Sequence, residues 1–330
     1  MRSRAFVCLG LPIFLLLPNY CAAISPDDYP ELRAFVQEVS GKYGLSKADL
    51  YRWFRKAKIR QDILAAIRAP KEALPWYRYR PLFVTQQSAV RGERFWQAHA
   101  RALARAESEY GVDPATIVAI LGIETQYGRN PGRFRVMDSL TTLMLEYPKR
   151  QAFFRQELEQ YLLLTRELKI DPLALRGSYA GAIGVPQFIP SSYRHYAVDF
   201  DGDRVADIVN SVADAIGSVA NYIKEHGWQR DGRVVADVTL EGQLPDWLGE
   251  LDPEPVAPLK YLISYGILPV EYNHIDQSAA VIKLEEESGP VYYFGYNNFY
   301  VITRYNRSRN YAMAVYKLSK LIRQRYNRER

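Results

Sequence analysis

The stretch AILGIETQYGR, residues 119–129, sets a glutamate where a helix would be expected to bury one more aliphatic side chain. Ile117, Ile120, Leu121 and Glu124 fall at i, i+3, i+4 and i+7, so Glu124 continues an apolar stripe on one helix face. Desolvation and the negative end of the helix dipole would both disfavour its ionised form, which suits a general acid near neutral pH. Two arrangements without chemistry stay open: a helix end that reaches solvent, and an ion pair with Arg129 or another cation. A second stretch, SYAGAIGVPQFIPSSY at 178–193, combines Ala180, Gly181 and Gly184, which allow close backbone approach, with Gln187, a polar side chain in an apolar run. Gln187 could bond an amide or a sugar hydroxyl, and a tightly packed helix–loop joint is the plainer alternative.

A third stretch, DFDGDRVAD at 199–207, places Asp199, Asp201 and Asp203 at alternate positions, with the carbonyl of Val205 next in line. This matches the first half of a calcium loop of EF-hand type. The second half departs from it: the glycine is Gly202, where Arg204 holds the usual glycine place, and the twelfth position is Asn210, which has no carboxylate. A longer loop closed by Asp214 or Asp207 would complete an oxygen cage. Ser211 and Asp214 also read as a capping pair for the next helix, and a structural Asp/Gly turn is the alternative to a metal site.

Other chemistries fall away by inspection. The histidines are His99, His195, His226 and His274, with no H-x-x-x-H pair, and both cysteines, Cys8 and Cys21, lie near the N-terminus, so a zinc site is not expected. GSYAG at 177–181 has its serine in the second place and not the third, unlike a nucleophile elbow. No Walker loop and no G-x-G-x-x-G is present.

The elements that must position these groups are mainly helical. Asp113–Pro114 starts a helix expected over about 114–126, closed in a left-handed conformation at Gly128. Ser46 with Asp49 caps LYRWFRKA, while ERFWQAHARALARAESEYG and RQAFFRQELEQYLLLTRELK read as long amphipathic helices. From about 230 to 305 the texture is β-like, in RVVADVTL, AAVIKLEE and VYYFGYNNFYVITRYN, and YAMAVYKLSKLIRQRY is a last helix. The triplet Glu285–Glu287 reads as a solvated strand end.

The N-terminus reads as an address. Arg2 and Arg4 precede a short apolar run broken by Pro12, and CAA at 21–23 offers a cleavage point, so residues 1–23 are expected to be a secretory signal peptide. Tyr20 before Cys21 departs from lipoprotein signals, which favours a soluble periplasmic form over lipid attachment. Removing Arg2 and Arg4 leaves 41 basic and 37 acidic residues, and such a mild excess suits an anionic polymer or surface without singling out nucleic acid. The 25 tyrosines suit surfaces that are part apolar and part polar, sugars among them.

Taken in order, GIETQYGR, SYAGAIGVPQFIPSSY, DFDGDRVAD, AIGSVANYIKEHGW and YVITRYNRSRNYAMAV resemble the membrane-bound lytic murein transglycosylase B family, from about Tyr79 to Val315. The resemblance implies an α+β, predominantly helical fold. It would comprise a helical N-terminal domain (24–100), a goose-lysozyme-like catalytic core (101–228), a small inserted β domain (229–304) and a C-terminal helix (305–330) returning to the core. It implies Glu124 as the sole catalytic acid and base, with Tyr79, Ser178, Gln187, Tyr222, Tyr305, Asn306 and Tyr311 as substrate-binding positions. Lys149 and Arg150 would reach toward the peptide or acidic groups of the substrate. Phe153 stands where relatives can have tyrosine, which removes any contact through that hydroxyl. The expected partner is a peptidoglycan glycan strand, bound by a monomer with peripheral membrane association. No cofactor is needed for the chemistry, and a structural Ca2+ would sit on Asp199, Asp201, Asp203, Val205 and Asp214. The other readings are a peptidoglycan hydrolase, which needs a second carboxylate facing Glu124, and a non-catalytic wall-binding protein.

Overall fold

Helix starts form where the residue types predict them. The Ser46 hydroxyl accepts the Asp49 N–H at 3.3 Å, and the Asp113 carboxylate accepts the Ala115 N–H at 3.1 Å. The computed structural model describes Ile24 and residues 28–242, 252–271 and 277–328. The expected leader, residues 1–23, lies outside the described residues. Among the described residues, no helix is long and apolar enough to cross a membrane.

The chain opens with α1 (Pro30–Tyr43), α2 (Lys47–Lys56), α3 (Gln61–Arg68), α4 (Trp76–Phe83), α5 (Gln86–Ala98), α6 (Ala100–Tyr110) and α7 (Pro114–Thr125). A two-residue strand, β1 (Phe134–Arg135), leads into α8 (Val136–Glu146) and α9 (Gln151–Glu167), and β2 (Arg176–Gly177) pairs antiparallel with β1. Then come α10 (Pro190–Tyr196) and α11 (Val212–Glu225). The β unit holds β3 (Val235–Leu240), β4 (Ala257–Pro258), α12 (Leu259–Ser264), β5 (Ile267–Pro269), β6 (Ser278–Glu286) and β7 (Gly289–Gly295). Two helices close the chain, α13 (Asn297–Tyr305) and α14 (Arg309–Arg328).

The run expected as one long helix over residues 93–111 is two. His99 leaves helical geometry at φ −120°, ψ 25°. The turn lets α5 pack against α7 and α14 while α6 packs against α11. Consequently α5 lies with the core that surrounds Glu124, although it precedes residue 101.

The β unit is an antiparallel sheet of strand order β4-β6-β7-β3-β5. Alternation along β6 gives it two apolar faces. Ala280, Ile282 and Leu284 join the main core, whereas Ala279 and Val281 join Leu259, Leu262, Ile267, Phe294 and Tyr296 in a second, smaller one. Glu286, at the strand end, binds Arg80 of α4 at 2.7 Å. VYYFGYNNFYVITRYN is not wholly strand: β7 stops at Gly295 and α13 begins at Asn297. Aromatic and β-branched residues favour strands, but here Phe299 and Val301–Ile302 are buried on a helix. The Asn298 amide fixes that helix by donating to the carbonyls of Gln229 and Gly232.

Candidate active site

Helix α7 is not amphipathic. Ten of its twelve residues are buried, on all sides, so Glu124 interrupts a core helix and does not extend a stripe. The helix also ends earlier than expected. Gln126, Tyr127 and Gly128 all have positive φ, at 50°, 64° and 82°, so the left-handed turn starts two residues before the glycine. Tertiary packing overrides the cost. The Tyr127 ring stacks on Phe95 at 4.6 Å, and a Cβ on Gly122 would lie 2.6 Å from the Tyr127 hydroxyl.

Glu124 is partly exposed, and its Oε1 accepts a 2.6 Å hydrogen bond from the buried Tyr311 hydroxyl on α14. Burial pushes the carboxyl up to about 7; the Tyr311 bond opposes this and the negative charge of Glu72 adds to it. No ion pair joins Arg129 to Glu124 among the described residues. Glu72 was not singled out in the sequence. It lies on the 71–73 turn, and its Oε1 accepts from the Asn306 side-chain amide at 3.3 Å. A polar residue in an exposed-looking KEA turn gives no signal; only the fold brings it to Asn306.

Near Glu124 runs a cleft of about 1030 Å³, lined by Arg150, Ala180, Gln187, Tyr222, Tyr305 and Asn306 among others, with no acidic side chain among the described residues that line it. Glu124 does not line this volume directly. It connects to it through Tyr311, whose ring is parallel to that of the cleft-lining Tyr305 at 6.4 Å. Tyr305 meets Tyr222 edge-on at 4.9 Å, and Tyr222 stacks on His226 at 4.1 Å. The hydroxyls of Tyr222 and Tyr305 donate to the carbonyls of Arg304 and Pro186, so these tyrosines offer ring faces and not O–H groups.

The other expected positions divide. Gln187 lines the cleft with φ 52°, and its side-chain N–H₂ is used on the carbonyls of Pro131 at 3.0 Å and Gly184 at 2.9 Å, which leaves its oxygen as acceptor. The Ser178 hydroxyl accepts from the N–H groups of Ala180 and Ala182, fixing the loop over the cleft. Arg150 lines the cleft with its guanidinium 4.1 Å above the Phe153 ring, so Phe153 serves as a platform. Three residues are placed differently from a direct contact. Tyr79 and Tyr311 are each 1% exposed, behind the cleft wall, and Lys149 stands exposed outside it. A second buried carboxylate, Glu157, is occupied: it accepts the Ser191 N–H at 2.9 Å and hydroxyl at 2.7 Å, capping α10.

The acidic loop gathers Asp199, Asp201 and Asp214, with one carboxylate oxygen of each within 4.8 Å of the others. Asp203 does not join them; its carboxylate accepts the Val205 N–H at 2.8 Å. Asp207 turns to the N–H groups of Val209 and Asn210. Asp214 receives the Ser211 cap through its N–H, as expected, while its carboxylate accepts from the N–H groups of Phe200, Asp201 and Asp207. The donor set, all carboxylate oxygen, suits a hard cation.

Residues 27–320 match the Transglycosylase SLT domain family. The chain belongs to this family. It is 38% identical over 322 residues to membrane-bound lytic murein transglycosylase B of Escherichia coli strain K12, over 94% of this chain and 88% of that protein. The crystal structure of soluble lytic transglycosylase SltB1 from Pseudomonas aeruginosa superposes with a TM-score of 0.84 at 45% identity, covering 90% of this chain and all of that one. Escherichia coli lytic transglycosylase Slt35 in complex with calcium gives a TM-score of 0.83 at 36% identity, covering 93% and 97%. The resemblance read from the motifs, and the predominantly helical lysozyme-like fold it implied, are those of the SLT domain.

Proposed function

We propose that this SLT-domain chain is a lytic transglycosylase. It cleaves the β-1,4 bond between N-acetylmuramic acid and N-acetylglucosamine in peptidoglycan and leaves a 1,6-anhydro-N-acetylmuramic acid end. The observation that carries the reading is Glu124, held by Tyr311 and pushed up to about 7, linked through Tyr311 and Tyr305 to a cleft with no acid among the described residues that line it. Most glycosidases need two carboxylates. One suffices when the substrate brings its own nucleophile. Protonated Glu124 gives its proton to the glycosidic oxygen as the C1–O bond breaks. The C6 hydroxyl of the same muramyl residue then bonds to C1 and returns its proton to the Glu124 carboxylate, so no water is consumed. The attack is intramolecular and needs positioning more than activation.

In this reading Gln187 and the Ser178 loop hold the N-acetyl group, the Tyr222 and Tyr305 rings carry sugar faces, and Asn306 and Arg150 meet polar and acidic groups. Tyr79 and Tyr311 act from behind the wall. A calcium ion on Asp199, Asp201 and Asp214 would hold the loop and take no part in the chemistry, in line with the calcium complex of Slt35. The leader pattern supports a periplasmic location, and the reading takes the protein as a monomer associated peripherally with the membrane.

The test is mass spectrometry of muropeptides released from purified peptidoglycan, with Glu124→Gln alongside. Anhydro-muramyl ends, absent with the variant, are expected. Reducing ends would overturn the reading in favour of a hydrolase, for which Glu72, beside Asn306, is the specific candidate second carboxylate.

A further inference from the structure

The residue after Glu124 does more than end a helix. Thr125 is 1% exposed, and its hydroxyl makes two strong bonds: it donates to the Val185 carbonyl at 2.8 Å and accepts the Gly128 N–H at 2.8 Å. The second bond spans the left-handed Gln126–Gly128 turn. Two of its three residues carry side chains in a conformation that L-residues avoid, and such turns persist only where surroundings fix them. The first bond ties α7 to the 184–188 segment. That segment is itself held on both sides. The Val185 N–H donates to the Ile208 carbonyl at 3.0 Å, and the next carbonyl, Pro186, accepts the Tyr305 hydroxyl. Gly184, at φ 75°, sits so close that a Cβ there would lie 2.5 Å from the Ile208 oxygen. One residue before Ile208, the Asp207 N–H donates to Asp214 at 2.8 Å. An unbroken hydrogen-bonded route therefore runs from the acidic loop, through Ile208, Val185 and the Thr125 hydroxyl, to the backbone that carries Glu124.

We propose that Thr125 is a positioning residue for Glu124: its hydroxyl locks the left-handed turn and registers the catalytic helix end against the 184–188 segment and, through it, the acidic loop. The proposal rests on the transglycosylase reading for its kinetic consequence but not for its structural one. A hydroxyl is required because both a donor and an acceptor are used, which no apolar side chain of the same shape supplies. A carboxylate shifted by about 1 Å from the glycosidic oxygen loses on the order of a hundredfold in rate while leaving the sugar sites intact.

The test compares Thr125→Val, which keeps the shape, with Thr125→Ser, which keeps the hydroxyl. Thr125→Val is expected to lower kcat by about 100-fold with KM close to wild type, and Thr125→Ser to restore kcat. Carbon-13 NMR titration of the Glu124 carboxyl, run on the same proteins, is expected to give a moved midpoint for Thr125→Val and an unmoved one for Thr125→Ser. Should Thr125→Val not fold, Thr125→Ala, which adds no bulk, carries the same expectations. A variant without the hydroxyl that keeps wild-type kcat and titration, or a serine variant as slow as the valine one, would overturn the proposal. A wild-type protein that releases no anhydro-muramyl product would instead defeat the functional reading, and the titration would still decide the role of Thr125.

Discussion

Glu124 and Asp199 of the 199–214 loop are both carboxyl groups beside the same core, and the fold treats them oppositely. Glu124 receives one hydrogen bond, from a tyrosine, and burial with a nearby like charge drives it toward its neutral form. Asp199 also loses some solvation, but the N–H groups of Gly202, Arg204 and Asp203 converge on it and hold it below the ordinary carboxylate range. Glu124 thus keeps its proton and Asp199 its negative charge, while Asp214, buried in the same loop, is pushed up by desolvation as Glu124 is. The difference is made by backbone geometry: a helix end in an apolar core supplies few donors, while an Asx-rich loop supplies many.

The strongest way to break this comparison is to remove the stored proton. Glu124→Gln is expected to lower anhydro-muropeptide release by about a thousandfold or more, as loss of a general acid–base group does. Wild-type activity should fall as pH rises through about 7, where Glu124 loses its proton. The linked effect on stability has a definite sign. Because the folded-state value lies above the ordinary 4.5, stability is full below pH 4.5 and is lost as pH rises toward and past 7. Glu124→Gln should therefore match wild type in thermal melts at pH 4 and exceed it at pH 8 by at most about 3 kcal/mol. An equal difference at both pH values would show that Glu124 is not held neutral.

The loop should respond in the opposite sense, to a cation. Calcium is expected to raise the melting temperature of the wild-type protein, stabilising the fold by about 3 to 4 kcal/mol at about 100 to 1,000 times the dissociation constant. Asp214→Asn should abolish that response, since Asp214 both completes the carboxylate group and gathers the loop N–H groups. Asp203→Asn should preserve it, because Asp203 lies outside the group. A calcium-dependent melt in Asp214→Asn would place the ion elsewhere.

These contrasts were unevenly legible in the sequence. The caps at Ser46, Asp113 and Ser211 could be read because they depend on neighbours a few residues apart. Glu124 was readable as an anomaly in an apolar helix, but the reason for its shift was not. Burial and the like charge of Glu72 push the carboxyl up while Tyr311 opposes them, and the groups responsible come from distant segments. The early left-handed turn at Gln126 escaped for the same cause: local propensity favours Gly128, and what holds Gln126 and Tyr127 is Phe95, Gly122 and Thr125. In the loop, Asp199, Asp201 and the closing Asp214 could be read from the sequence, whereas the exclusion of Asp203 follows from three-dimensional closure. The β texture of YNNFYVIT misled because composition cannot show which neighbours a segment will meet.

The smallest expected effect tests the like charge beside Glu124. Besides Tyr311 and Glu72, the groups near that carboxyl are the buried phenols of Tyr79 and Tyr305, both neutral at working pH because burial holds them well above their ordinary value. Among the described residues, Glu72 is thus the one neighbouring anion. Glu72→Gln keeps the bond from Asn306 and removes the charge, so Glu124 should ionise at lower pH and the falling limb of the kcat/KM profile should move down. The rate at pH 7 should drop by less than about tenfold, as expected for one charge at a partly solvated distance. Tyr311→Phe removes a bond that favours the carboxylate and should move the same limb up. Opposite movements in the two variants would establish that these two neighbours tune the proton that burial keeps on Glu124. A complete loss of activity in Glu72→Gln with an unmoved limb would make Glu72 a participant in the chemistry and return the site to a two-carboxylate mechanism.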